Sequence, residues 1–359
     1  VFSFTQAWGA DTNAFFFNNF LKLSSGPFDF GGIVWPVLLG ITAIWLINWY
    51  VCYKGVSGGI EKMNKVLLPS LVVIMIVIVI RGVTLPGAAL GLNKLFTPDW
   101  AKVMDPKVWI AAYGQVFFSL SIAMGIMMTY SSYLPEKTDI NNSAFMTAFA
   151  NSGFEFLAAI GVFGILGFMA TSQGVPLEEV ASQGIGLAFV VFPKVFGMMG
   201  AWGRILGILF FVCLIFAALT SSISLVEASA SAIMDKTGIP RKKVVTASCL
   251  VGYFISLVYT TGAGLYFLDI IDAFINSYGL VVVGMAEAFV VGWLYGPSKV
   301  REHTNPISYY SIGSWWDVMI KYVTPVVLTF MMVQNLINEI KAPYGGYPMN
   351  ALVILGWGV

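Results

Sequence analysis

Three stretches of an otherwise apolar chain carry side chains able to hold a small cation or a polar solute. Gln115, Ser119, Ser121 and Gly125, with Met124 beside them, interrupt the first. Asn151, Ser152 and Glu155 lie in the second, and Ala217, Thr220, Ser221, Ser222 and Ser224 in the third. Asn151 and Glu155 are four residues apart, so on a helix they share one face. An amide oxygen is a hard ligand that suits sodium, and a nearby carboxylate balances its charge. The hydroxyls of Thr220 and Ser221, with the carbonyl of Ala217 one turn back, offer oxygens along one side of a helix. Plainer alternatives exist for each: a small-residue packing face, a hydrogen-bonded structural glutamate, and serines bonded back to their own helix. Glu227, about two turns past Thr220, is expected to be structural and to need a partner.

The elements that position these residues must be membrane helices. The 359-residue chain is 58% hydrophobic and 10% charged, whereas a soluble domain carries about 25% charged residues. Its net charge of +1 argues against a nucleic-acid partner, which requires a basic patch. Cys52, Cys213 and Cys249 are scattered through apolar runs and form no disulfide framework. His303, the single histidine, lies in a polar loop and is assigned no role. No catalytic dyad or phosphate loop stands out, so an enzyme is not expected.

A spanning helix needs about 20 mostly apolar residues. The spans read as 32–53, 66–80, 108–130, 140–170, 205–226 (running on to Asp235), 244–268, 273–294 and 322–338, with 347–359 as the first part of another. The expected fold class is therefore an all-α polytopic membrane protein with eight full spans and one partial span. The Ser and Gly residues of the third span can together loosen its helix. Freed backbone at membrane depth is tolerated only where it is buried in protein or lines a cavity, and such broken helices form solute and ion sites in transporters. Short basic loops alternate with longer, sparser ones, which places the basic side in the cytoplasm. Residues 1–30 and 171–202 then lie outside, the latter as a lid-like loop with short helices over 175–183 and 188–196; a static cap is the alternative. Asp269 and Asp272 fall at the outer start of the seventh span and Asp235 at the inner end of the fifth. The chain opens at Val1 on polar and aromatic residues and closes on the apolar run 351–359, so truncation at both ends is expected.

Four local strings, in order, resemble the neurotransmitter:sodium symporter family. They are Gly59 and Pro69 with nine residues between them, the run Phe96-Thr97-Pro98-Asp99-Trp100, the run from Gly114 to Ser121, and Thr220-Ser221-Ser222. The resemblance implies a partial inverted-repeat transporter fold, one transmembrane domain over 1–359 that corresponds to the family's helices four to eleven and part of twelve. It implies sodium-coupled symport of a neutral amino acid by alternating access. It also implies that Ser119 and Asn151 belong to one sodium site, and Ala217, Thr220 and Ser221 to a second. Phe118, Ser119, Ser121, Met124, Ser221 and Leu225 would line the substrate pocket. Asp272 would be the acidic half of an outer gate and Asp235 of an inner gate, with Tyr133 nearby. Glu155 stands where chloride-dependent members have serine, so its carboxylate would replace chloride. Met124 stands where other members have an aromatic residue. Methionine adapts to varied apolar shapes, which suits a hydrophobic or aromatic amino acid. The expected partners are that amino acid and the lipid bilayer, and the expected location is a bacterial inner membrane. A channel, which needs a continuous polar path, and a non-transporting amino-acid receptor on the same fold are the alternatives.

Overall fold

The computed structural model describes residues 2–358 apart from 182 and 183. Among the described residues it is built from helices, and the only β feature is an isolated bridge between Ile33 and Thr261. Among the described residues, seven helical segments are long and apolar enough to cross a membrane. In chain order, α1 is Trp35–Lys54 and α2 is Val56–Val83. A short helix α3 (Ala88–Phe96) follows, then two half-length helices, α4 (Pro106–Ser119) and α5 (Ile126–Ser132). Next come α6 (Ile140–Gln173), α7 (Gly184–Met198, too short to span) and α8 (Ala201–Thr237). The last long segments are α9 (Arg241–Thr260), α10 (Gly264–Tyr295) and, after α11 (Pro297–Thr304), α12 (Trp315–Gly346). A final turn, Met349–Ala351, runs on into Leu352–Trp357. Seven continuous spans plus the broken α4–α5 pair make eight, with the C-terminal helix as the partial ninth.

The helix ends have local causes. Asp139 caps α6 by accepting from the Asn142 N–H, as short acidic side chains do at helix starts. Gly174 and Gly238 end α6 and α8 in the left-handed conformation. At 37 residues, α8 is about 55 Å long by its 1.5 Å rise. It therefore outruns a hydrocarbon core of about 30 Å, which is how Asp235 comes to stand clear of the apolar stretch. Helices α3 and α6 meet at backbone contact: a Cβ added to Gly91 would lie 1.8 Å from the Phe163 carbonyl oxygen.

Three expectations about boundaries are corrected. The span read over 244–268 stops at Thr260, and the next helix starts at Gly264, so Asp269 and Asp272 lie inside α10 rather than before it. The break persists because the segment before α1 satisfies its backbone: Val34 N–H donates to Thr260 O (2.7 Å), Gly262 N–H to Phe30 O (2.9 Å), and Ser24 N–H to Gly262 O (3.0 Å). Backbone groups bonded this way have no need of helix partners. In the 171–202 loop, the first short helix shrinks to one turn, Leu177–Val180, and the end of its expected range falls outside the described residues. The second is longer than expected and begins at Gly184. Phe192, Val195 and Phe196 of α7 are buried in one apolar core with Trp8, Ile165, Met169 and Leu206. Packing thus joins the opening residues, the 171–202 loop and the same ends of α6 and α8.

Candidate functional site

The interruption between α4 and α5 is the centre of the site. Ser121 and Ala123 have φ of 53° and 65°, and Gly125 has 69°. Left-handed backbone costs a non-glycine residue roughly 1–2 kcal/mol, so two such residues in six mark a segment held by its surroundings. The last turn of α4 tightens on itself, with Ser121 N–H donating to Phe118 O (2.9 Å) and Ile122 N–H to Phe117 O (3.1 Å). Gly125 then opens α5.

Asn151 joins this break to α6. Its Nδ2 donates to Ser119 Oγ (3.0 Å) and to Glu155 Oε1 (3.1 Å). Both amide protons are therefore used, and Asn151 Oδ1 is left as the acceptor end of that amide. The shared helical face read for Asn151 and Glu155 is present, and Ser119 meets it from a different helix.

On α8, Thr220 Oγ1 donates to the Ala217 carbonyl (2.8 Å), which places two of the expected oxygens together. Ser224 Oγ donates to Thr220 O (2.9 Å) and meets the Tyr130 hydroxyl of α5 (2.8 Å). Ala217, Ser221 and Leu225, four residues apart in series, lie on an exposed strip of α8.

Two cavities flank the break. One of about 380 Å³ is lined by Gln115, Phe118, Asp272, Asn276, Ser277 and Asn335 among others. There the Asp272 carboxylate accepts from Asn276 Nδ2 (3.0 Å). The other, about 440 Å³, is lined by Met124, Gly125, Ser132, Leu225 and Asp235. The pocket residues expected on sequence grounds thus divide: Phe118 faces the first cavity with Asp272, while Met124 and Leu225 face the second with Asp235. Ser119, Ser121 and Ser221 line neither.

Sequence reasoning missed the setting of Tyr133. Its hydroxyl donates to Glu227 Oε1 (2.7 Å). Glu227 is fully buried and is gripped by Arg241 of α9, whose NH1 donates to Oε1 at 2.8 Å and whose NH2 contacts Oε2. Arg241 Nε also donates to the Cys52 carbonyl of α1 (2.9 Å). A buried carboxylate demands such pairing, so a partner was foreseeable. Its identity was not, because Arg241 reads as one member of a basic loop.

Comparison with known proteins agrees with this architecture. The family profile described as "Sodium:neurotransmitter symporter family" matches residues 2–359. An uncharacterized sodium-dependent transporter of Methanocaldococcus jannaschii is 42% identical over 338 residues, covering 94% of this chain and 69% of the relative. The sodium- and chloride-dependent taurine transporter of Canis lupus familiaris is 31% identical over 369 residues, covering 99% of this chain and 58% of the relative. The sodium- and chloride-dependent glycine transporter 2 of Xenopus laevis is 30% identical over 360 residues, 98% of this chain and 45% of the relative. The chain thus spans between about half and two thirds of the length of these relatives. The broken helix, the polar groups beside it and the match across the whole sequence lead to one conclusion: this multi-pass membrane chain belongs to the sodium:neurotransmitter symporter family, a family of transporters rather than enzymes.

Proposed function

We propose that the protein couples sodium entry to uptake of a neutral amino acid with a hydrophobic or aromatic side chain, by alternating access at the α4–α5 break. The observation that carries this reading is Asn151, hydrogen-bonded to both Ser119 and Glu155 with its amide oxygen left to accept. Ser119 and Asn151 contribute to one sodium site, and Ala217, Thr220 and Ser221 to a second. The substrate side chain lies at the break, between Phe118 of the first cavity and Met124 and Leu225 of the second, with Ser121 and Ser221 as polar neighbours. Asp272 closes the outer cavity and Asp235, with Tyr133, the inner one. The chain corresponds to the family's helices four to eleven and part of twelve, with 171–202 as an outer lid. Small zwitterionic solutes named for the relatives, taurine and glycine, fit the same polar centre; the apolar lining of this chain favours a larger side chain.

The test is uptake by the intact protein in proteoliposomes with an imposed sodium gradient and a panel of labelled amino acids. Saturable accumulation that requires sodium and is strongest for leucine, phenylalanine or tryptophan is expected. Currents far above carrier turnover would instead indicate a channel, and binding without accumulation would indicate a receptor.

A further inference from the structure

Asn48 sits in the middle of α1 and is 1% exposed. Its Nδ2 donates to Ser222 Oγ of α8 at 2.6 Å. Its Oδ1 is enclosed and has no partner among the described residues. An unsatisfied buried acceptor is a standing cost that a leucine would remove, so stability alone does not account for an amide here. One turn further along α1, Cys52 Sγ donates to the Ile223 carbonyl (3.7 Å). Two positions of α1 one turn apart therefore address the two residues that follow Thr220 and Ser221.

The geometry points to Asn48 as a positioning residue for the oxygen ligands on α8. Residues along a helix are about 100° apart, so Ser222 projects about 100° round from Ser221 and on the other side from Thr220. A bond at Ser222 fixes the rotation of α8 without occupying the ligand face. Side-chain atoms lie roughly 6 Å from a helix axis, so a rotation of about 10° moves a ligand oxygen by about 1 Å. A binding constellation tolerates only about 0.5 Å. Loosening the Asn48–Ser222 bond thus weakens cation binding, while Phe118 and Met124, the apolar substrate contacts that lie off α8, stay in place.

This inference rests on the proposed sodium-coupled function, and the experiment separates the two. Sodium-dependent uptake is measured in proteoliposomes for the intact protein, Asn48→Leu, Ser222→Ala and the double variant, with Thr246→Val as control. Thr246 accepts a comparable cross-helix bond from Trp49 Nε1 (3.0 Å) but touches no ligand-bearing turn. The expected result is a rise of at least about fivefold, about 1 kcal/mol, in the sodium concentration for half-maximal uptake in each single variant. The double variant should show little further change, the amino-acid KM at saturating sodium should rise less than the sodium requirement, and Thr246→Val should behave as the parent. If Asn48→Leu does not fold, Ser222→Ala carries the test alone. Sodium dependence within about twofold of the parent in a folded variant, or an equal shift in Thr246→Val, overturns the inference. A parent protein that accumulates amino acid without sodium overturns the functional reading, and the inference with it.

Discussion

Glu155 offers the sharpest test of the cation site. Its Oε1 lies 3.1 Å from Asn151 Nδ2, the amide whose other end faces a bound sodium in the proposed site. The carboxylate and the cation are then about 6 Å apart, and at an effective dielectric constant of about 20 they attract by about 2.8 kcal/mol. That corresponds to about a hundredfold in sodium affinity. Glu155→Ser removes the charge, so sodium activation should weaken by about that factor in gluconate medium, and added chloride should restore much of it. Glu155→Gln keeps the shape and should show the same weakening. The parent should be indifferent to chloride. The assay is amino-acid uptake against sodium concentration in proteoliposomes, in chloride and in gluconate. Two results refute the reasoning: parent uptake that vanishes in gluconate, or a folded Glu155→Ser whose sodium dependence stays within about threefold of the parent in both media.

Other consequences follow from the same geometry. Replacing Arg241 with Met strands the fully buried Glu227 carboxylate and should cost about 3–5 kcal/mol, whereas pairing it with Glu227→Leu should recover most of that loss; thermal melts in detergent decide. Gly91→Ala drives a methyl group into the Phe163 carbonyl and should cost about 1–3 kcal/mol in the same melts. The Tyr309 N–H (2.8 Å), with the Asn142 N–H (3.0 Å), holds the Asp139 carboxyl below the usual carboxylate range. This contribution is fully present above the unfolded pKa of about 3.9 and is lost as pH falls through the lower folded value. Protection of the Asn142 and Tyr309 amides from exchange should therefore drop across that acidic window in the parent and show no such step in Asp139→Asn.

Hydropathy and helical spacing alone determined the membrane class, the number of spans, the weak point between Ser119 and Gly125, and the common face of Asn151 and Glu155. Each is a property of one contiguous segment, readable because helix periodicity is local. Tertiary structure decided which segment meets which. Arg241 finds Glu227 and Tyr133, Asn48 finds Ser222 at a separation of 174 residues, and residues 24–34 take over the backbone at 260–262 and so divide one expected span from the next. A polar side chain in an apolar medium announces in sequence that it needs a partner. Which partner it receives depends on how helices far apart in the chain cross, and no local pattern of residues carries that information.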